Sequence, residues 1–314
     1  MRRFLPGVVG ALGFATVAAT SPAAETTTPY PDIADVSHAT PEAAAYFKAY
    51  FSAKSRHDPK TMVPLFNKDQ VTYIDATLGW PFYTYKSLDD LFTAYMPKWP
   101  PAGKSYPTLI MGDTHSALVG FTDTPELFGG EIRILAAIDF KDGKIARWVD
   151  YWDGRSFGAA LAAKMRTPPD KFPTDFSVNV TGENASAKMQ EAARNLAAAF
   201  AGANATRAAA MFGYDAVFED MALRVRVVGR AAIERYLGRA LAQLPYGVGS
   251  SVRHIVGSDQ GGAYEWIAPG DVKRGITAIE LDKDGKIASL RATWDNAMMS
   301  DTSLKNLVLL SIEQ

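Results

Sequence analysis

The hydrophobic and polar positions of the chain form one long pattern that occurs twice. The first copy spans residues 137–153 and the second spans residues 278–295; each alternates apolar and polar residues, turns at Asp-Gly and ends in Trp-Asp. Asp-Gly between two alternating runs predicts a β-hairpin, because a type I′ turn needs positive φ at both central residues. Each copy is therefore predicted to contain a hairpin whose second strand ends in Trp-Asp.

The distance between the two hairpins sets the predicted domain organisation. The Asp142-Gly143 and Asp284-Gly285 turns are 142 residues apart, which is too long for a solenoid repeat and is an ordinary domain size. The pattern therefore predicts a tandem duplication. The predicted parts are a first domain over 41–158, a linker over 159–185, a second domain over 186–300 and a C-terminal helix over 301–314.

Within each copy, apolar positions at helical spacing precede runs that alternate like strands. Thr40-Pro41 supplies a helix N-cap with proline at the first helical position, and Phe47, Tyr50 and Phe51 recur at helical spacing after it. Helices on one face of a curved, mostly antiparallel sheet are an α+β layer architecture. The main predicted strands are 106–112, 115–122, 130–140 and 144–152 in the first copy, and 251–257, 262–268, 272–282 and 286–294 in the second.

The N-terminal residues predict export. Arg2-Arg3, an apolar run to Ala19 and small residues over 20–24 are typical of a secretory signal, here residues 1–24. Residues 25–40 are rich in Thr, Pro and Asp and predict an extended tether. The chain contains no Cys, so neither a disulfide nor a lipoprotein anchor is expected. We expect a periplasmic or secreted protein without a membrane span after signal removal.

Composition and motifs limit the classes of partner and of reaction that we expect. A net charge of −1 and a hydrophobic fraction of 47% describe an ordinary globular protein and give no reason to expect nucleic acid as a partner. The four His residues are scattered and show no metal-ligand spacing. The sequence has no Gly-rich phosphate loop and no Gly-x-Ser-x-Gly elbow. We therefore expect no cofactor and no metal.

Two matching segments carry a family resemblance. Residues 65–75 read Leu-Phe-Asn-Lys-Asp and then Tyr-Ile-Asp, and residues 211–220 read Met-Phe-Gly-Tyr-Asp and then Phe-Glu-Asp. Both resemble the entry into the first strand of NTF2-like proteins, which include the SnoaL-like polyketide cyclases and the ketosteroid isomerases. The resemblance implies two tandem cones, each with three helices on a curved sheet and an apolar small-molecule pocket. It also implies an internal pseudo-dimer of the two sheets, and it leaves a homo-oligomer open.

The resemblance to the isomerases implies candidate catalytic residues. Asp75 and Asp220 end the first strand of their copies, where a desolvated carboxylate can serve as a general base. Tyr50 matches the tyrosine on the first helix of the isomerases, whereas the second copy has Leu196 there. Alternatively, Asp75 caps the following turn and Tyr50 belongs to the core. The second carboxylic acid of the isomerases is missing, because the matching positions are Ala136 and Ala278.

Aromatic residues separate the two copies. Between residues 41 and 158 there are 21 Phe, Tyr and Trp residues, against nine between 186 and 300. The excess predicts a pocket for a flat aromatic ligand in the first domain, since ring pairs contribute about 0.5–1.5 kcal/mol beyond area burial. A core of large residues or a domain interface is the alternative, and the second domain is expected to be a structural partner. The predicted substrate-binding residues are Trp80, Tyr83, Tyr95, Trp99, His115, Arg133, Trp148, Asp150 and Tyr151.

Two functions fit these observations. The first is a cofactor-independent enzyme, an isomerase, cyclase, dehydratase or carbon–carbon lyase, that abstracts a proton from a hydrophobic, aromatic small molecule. Asp75 would be its base, and Tyr50 would donate a hydrogen bond to the developing oxyanion. The second is a periplasmic binding or scaffold protein that uses the same fold without turnover. Asp75 and Tyr50 facing a common cavity would favour the enzyme, and Asp75 bonded to local backbone amides would favour a cap.

The export signal gives the first testable prediction. N-terminal sequencing of the secreted protein should find the first residue between Thr20 and Glu25, because the small residues before Glu25 suit signal peptidase. A mature chain that begins at Met1 or Arg2 would contradict periplasmic residence.

Overall fold

The computed structural model describes residues 31–313. These residues form two mixed β-sheets, each covered on one face by helices. The predicted signal, residues 1–24, and the first part of the predicted tether lie outside the described residues. The architecture is α+β, as the sequence predicts. No helix within residues 31–313 combines the length and the apolar composition that crossing a lipid bilayer requires.

From residue 31 on, the first half of the molecule contains one sheet and four α-helices. Its strands are β1 (Asp35–Ala39), β2 (Thr72–Asp75), β3 (Trp80–Phe82), β4 (Ser105–Gly112), β5 (Ser116–Asp123), β6 (Ile132–Lys141) and β7 (Lys144–Trp152). Its helices are α1 (Pro41–Ser55), α2 (Pro59–Met62), α3 (Tyr85–Tyr95) and α4 (Pro125–Phe128).

The strand order of the first sheet is β1-β4-β5-β6-β7-β2-β3. Neighbouring strands are antiparallel except at β1/β4 and β2/β7. Strand β1 corrects the sequence analysis, which assigned residues 25–40 to an extended tether. The free edge of β4 offers backbone groups that β1 pairs with, and Thr40 then donates its N–H to the carbonyl of Gly112 at 3.0 Å before capping α1.

The segment predicted as a linker is folded against the molecule. It contains α5 (Ala159–Met165) and α6 (Val178–Thr181). Thr167 donates its N–H to the carbonyl of Leu78 at 2.8 Å, and the ring of Phe176 is buried. The segment was predicted to be a linker because many of its residues are polar, but a few apolar residues pack against the rest of the molecule and hold it in place.

The second half repeats the layout of the first. Its strand order is β10-β11-β12-β13-β8-β9, with β13 and β8 parallel and the other pairs antiparallel. Its helices are α7 (Ala187–Ala201), α8 (Ala205–Ala209), α9 (Arg230–Ala240) and α10 (Asp301–Leu309). Its strands are β8 (Phe212–Asp220), β9 (Val225–Val228), β10 (Ser251–Ser258), β11 (Gly261–Ile267), β12 (Arg274–Leu281) and β13 (Ile287–Trp294).

Three apolar clusters hold these layers together. One lies between the first sheet and its helices, and a second lies between the second sheet and its helices. The C-terminal helix α10 joins the second cluster through Leu307. The third lies between the two sheets and contains Leu118, Leu135 and Ala137 from the first and Val256 and Ile276 from the second. The helix-free faces of the two sheets therefore pack against each other.

A buried ionic network crosses this sheet-to-sheet contact. The Arg147 guanidinium is fully buried and donates to Glu265 Oε2 at 2.5 Å and to the carbonyl of Phe176 at 2.7 Å. Asp139, opposite Arg147 on β6, lies 3.6 Å from it and accepts a hydrogen bond from His254 at 2.7 Å. Burial raises the pKa of Glu265, but Arg147 and His254 outweigh it and hold the pKa below its ordinary value. The Glu265 carboxylate and the Arg147 guanidinium therefore both stay charged in the interface.

This network predicts a large stability effect. Replacing Glu265 with Ala leaves the Arg147 charge buried without its main partner, which should lower the free energy of unfolding by about 3–5 kcal/mol. Denaturant unfolding measures the change. Glu131→Ala is the matched control, because Glu131 makes an exposed ion pair with Arg133, and such pairs contribute at most about 1 kcal/mol. Equal effects of the two substitutions would contradict the importance of the network.

Candidate functional site

Asp75 lies at the end of β2, and its carboxylate is bonded on both oxygens. Oδ1 accepts the backbone N–H groups of Thr77 at 2.9 Å and Leu78 at 2.8 Å, and Oδ2 accepts the indole N–H of Trp152 at 3.1 Å. Burial raises the pKa of Asp75 to about 6, and these hydrogen bonds limit the rise. Asp75 thus caps the turn after β2 and fixes Trp152. This is the arrangement expected if Asp75 is a turn cap and not a general base.

Asp220 makes the same contacts in the second half. Its Oδ1 accepts the N–H of Leu223 at 2.9 Å, and its Oδ2 accepts the indole N–H of Trp294 at 3.1 Å. Asp220 also accepts the hydroxyl of Tyr246 at 2.8 Å. The expectation that the second copy has no tyrosine partner is therefore wrong. Tyr246 follows α9, whereas the family pattern pointed only to the first helix of the copy, α7, where Leu196 lies.

Asp150 is a buried carboxyl on the helix-covered face of the first sheet. Its Oδ1 accepts the indole N–H of Trp148 at 2.5 Å, and its Oδ2 accepts the hydroxyl of Tyr73 at 2.8 Å. Burial raises the pKa of Asp150 to about 7; Lys54 lowers it and Asp75 raises it further. Asp150 pairs with Ala136 across β6 and β7. A carboxyl thus lies one strand away from the position where the sequence analysis found it missing.

Tyr50 and Trp148 form the centre of an aromatic cluster above Asp150. Their rings stack with centroids 4.8 Å apart and an interplanar angle of 27°, and both side chains are buried. Burial raises the pKa of Tyr50 well above its ordinary value. The other rings within 6.4 Å of the Trp148 ring belong to Phe47, Phe51, Phe66, Tyr73 and Phe121. The aromatic residues of the first half pack against one another.

Two open concavities of the described residues lie away from Asp75, Asp150 and Tyr50. One, of about 290 Å³, is lined by Asp153, Arg155 and Arg224, with Leu304 and Val308 of α10. The second is an apolar groove on α10 itself. Neither touches Asp75, Asp150 or Tyr50. The predicted aromatic pocket is therefore a filled core in this structure.

Of four further predicted binding residues, Trp80 and Trp99 lie at the rim of the aromatic cluster, whereas Tyr83 and Tyr95 lie on the surface. Trp80 and Trp99 are half-buried against it, and the Trp80 indole donates to the carbonyl of Met165 at 3.1 Å. Tyr83 is 42% exposed and Tyr95 is 45% exposed. Tyr83 donates its hydroxyl to the carbonyl of Asp175 at 2.7 Å, and α3, which ends at Tyr95, packs Phe92 against the ring of Tyr73.

The remaining predicted residues do not join this site. His115 is exposed beside Asp113, and Arg133 is exposed and bonded to Glu131. Tyr151 points to the opposite face of the sheet, where its hydroxyl donates to Glu265 at 2.6 Å. Arg133, Asp150 and Tyr151 therefore do not share one binding surface, because neighbouring residues of a strand face opposite sides.

Sequence reasoning missed two residues of the cluster. Tyr73 lies two residues before Asp75 on an alternating strand, so it faces the same side. Lys54 lies four residues after Tyr50 on α1 and shares its face; its ammonium is buried 3.2 Å from Asp123. Both periodicities were readable in the sequence. The contact of Lys54 with Asp123 on β5 depends on the tertiary fold.

The cluster contains two buried carboxyls whose pKa values are raised. Asp75 and Asp150 share one interior, and each charge raises the cost of the other. A carboxyl with a pKa near 7 can accept or release a proton at working pH. Within residues 31–313, no three His, Asp or Glu side chains come together as metal ligands.

Comparisons with known proteins found solved structures that are similar to part of the chain. No protein-family model matches the chain, and no curated protein matches it. It is similar to a steroid delta-isomerase from Pseudomonas aeruginosa (15% identity, 41% of this chain and 93% of that one, TM-score 0.33). It is also similar to a SnoaL-like protein from Burkholderia thailandensis (11%, 35% and 98%, 0.32) and to an NTF2-like protein from Mesorhizobium loti (16%, 40% and 98%, 0.31). The similar structures are consistently NTF2-like, SnoaL-like and ketosteroid isomerase-like proteins.

The raised pKa of Asp150 predicts a pH-dependent stability. The folded protein holds this proton more tightly than the unfolded chain, whose aspartates titrate near 3.9. The free energy of unfolding should therefore fall as pH rises from about 4 to about 7, then level off. Asp150→Asn removes this contribution, so its stability relative to the parent should increase across that window by an amount on the order of a few kcal/mol.

Thermal melts from pH 4 to pH 8 measure this difference. Asp89→Asn on the exposed surface of α3 is the control and should track the parent at every pH. A constant offset for Asp150→Asn would show that its carboxyl titrates as it does in water.

Proposed function

We propose that the chain is a cofactor-independent enzyme that moves a proton on a hydrophobic, aromatic small molecule in its first half, with Asp150 as the acid–base group. One observation carries the proposal. The trio of Tyr73, Trp148 and Asp150 is hydrogen-bonded in the first half and replaced by apolar residues at the same register positions of the second. The counterparts are Phe218, Leu290 and Ala292.

This difference indicates that the trio is not needed for folding. The second sheet forms the same strand order without the trio, so the fold does not require it. A buried carboxyl also costs free energy, which a purely structural position would avoid by carrying Ala, as at Ala292. The strand-end aspartates, by contrast, bond a turn amide and a tryptophan indole in both halves, so we assign Asp75 and Asp220 to structure, although Asp220 also accepts the Tyr246 hydroxyl.

The trio suggests a division of roles. Asp150 takes a proton from a carbon acid and returns it to a second position of the substrate or to a leaving group. Tyr73 and Trp148 donate hydrogen bonds that orient the Asp150 carboxylate and lower its basicity to a useful value. Tyr50 and Trp148 supply flat apolar surface for the substrate. The rim aromatics must separate to admit a ligand, because the interior is filled.

The architecture we propose has two tandem NTF2-like domains, over 41–158 and 186–300, that pair as an internal pseudo-dimer. The shared strand order and the packing of the two helix-free faces support it. Residues 159–185 join the domains, and the N-terminal segment directs the protein to the periplasm.

A non-catalytic binding or scaffold protein is the second candidate. The capping contacts of Asp75 and the filled interior favour it. In that case the Asp150 trio only selects a ligand and performs no proton transfer.

Hydrogen–deuterium exchange distinguishes the two candidates without knowledge of the reaction. The protein is incubated in D₂O with a panel of aromatic and alicyclic ketones, and loss of the α-proton signals is followed by NMR. Asp150→Asn should slow the exchange on the order of 10²–10⁴-fold, because it removes the base and keeps the shape. Tyr73→Phe should slow it less.

Asp220→Asn is the matched control, since it removes a buried carboxyl from the other half, and it should leave exchange unchanged. Circular dichroism confirms that each variant is folded. Binding of a ketone without any exchange by the parent protein would favour the second candidate. An equal loss from Asp150→Asn and Asp220→Asn would contradict the assignment to the first half.

A further inference from the structure

Two arginines at the end of the sheet-to-sheet contact are stacked on phenylalanines of the segment that joins the halves. The Arg274 guanidinium carbon lies 3.7 Å from the ring centroid of Phe172, and that of Arg253 lies 3.8 Å from the ring centroid of Phe176. Stacking of this kind fixes the plane of a guanidinium and leaves its N–H edge open to hydrogen-bond partners; one N–H of Arg253 donates to the Tyr151 hydroxyl at 3.4 Å.

The two arginines lie on one face of the second sheet. Arg253 belongs to β10 and Arg274 to β12, with β11 between them. Arg274 pairs with Ile267, which is two residues from Glu265 and therefore shares its face. Alternate strands of a sheet are roughly 10 Å apart, a distance at which two long side chains can converge on one small group.

The acidic groups near these arginines are bonded to other residues. Glu265 accepts hydrogen bonds from Arg147 and Tyr151, and Asp295 is paired with Arg166. Among residues 31–313, no carboxylate lies within 4.0 Å of the Arg253 or Arg274 guanidinium. The site therefore carries positive charge without a counter-ion of its own.

The surroundings of Arg274 destabilise its positive charge. Its Nε is buried and has no hydrogen-bond partner in the described residues. Burial, followed by the charge of Arg253, lowers the pKa of Arg274 to about 10. A buried donor without a partner and two like charges side by side are both stabilised by an anion.

We propose that Arg253 and Arg274 bind a small oxyanion, a carboxylate or a phosphate, beneath Phe172 and Phe176. Guanidinium groups match both anions with paired N–H donors, and such charge-assisted hydrogen bonds are stronger than neutral ones. The site lies on the opposite face of the sheet from the helix-covered interiors, so it does not depend on the proposed enzyme. Because the stacked phenylalanines belong to the joining segment, a bound anion would also hold that segment against the second half.

Calorimetric titration of the full chain tests the site. The probes are sodium phosphate, sodium acetate and sodium benzoate, with sodium chloride at the same ionic strength as the reference. Saturable binding of phosphate, of a carboxylate or of both supports the proposal, and the pattern identifies which source of the oxyanion the site takes. Arg274→Lys and Arg253→Lys keep the charge but lose the paired donors, so each should weaken binding by about tenfold or more.

Arg230→Lys is the matched control, because Arg230 begins α9 on the helix-covered side and is exposed. It should bind the probes as the parent does. No saturable binding of any probe by the parent protein would overturn the proposal and would leave Arg253 and Arg274 as structural contacts of the joining segment. Equal weakening by Arg230→Lys would overturn it as well, because the anions would then bind the general surface charge.

Discussion

The fully buried Arg147 guanidinium is the constraint on which the arrangement of the two halves depends. It lies on the first sheet, but its main partner, Glu265, lies on the second, and it also donates to the carbonyl of Phe176 in the joining segment. Removing a charge from water costs several kcal/mol unless its partners are well placed. Asp139 of the first half lies 3.6 Å from Arg147, but Arg147 donates its hydrogen bonds to the second half and to the joining segment, so the network specifies how the sheets and the joining segment fit together.

The same strand scaffold serves two purposes in the two halves. In both, an aspartate at the end of a strand caps a turn and holds the tryptophan of the Trp-Asp motif. Only the first half adds a buried carboxyl, Asp150, to its aromatic interior. The second half keeps apolar residues at the matching register positions and contributes Glu265 and His254 to the interface instead. The proposed chemistry and the contact between the halves thus lie on different faces of related sheets.

Regular structure was largely predictable from the sequence because its signals are local. The Asp-Gly turns, the alternation of the long strands and the Thr40-Pro41 cap each depend on neighbouring residues, and the corresponding elements lie close to their predicted positions. Strand β1 was missed, since a short polar strand forms only when the edge of β4 is present to pair with it. The rim positions of Trp80 and Trp99 and the exposure of His115 likewise required the folded chain.

The sequence by itself determined the repeated hairpin, the α+β class and the concentration of aromatic residues in the first half, because periodicity and turn chemistry act over a few residues. Strand alternation also places Asp150 and Tyr151 on opposite faces of the sheet, although both were predicted to bind the substrate. Only the tertiary structure decided that Asp75 caps its turn, that Asp150 contacts Tyr73, and that Arg147 meets Glu265. These contacts join residues 77 and 118 positions apart in the last two cases, and no local pattern specifies which distant side chains share an interior.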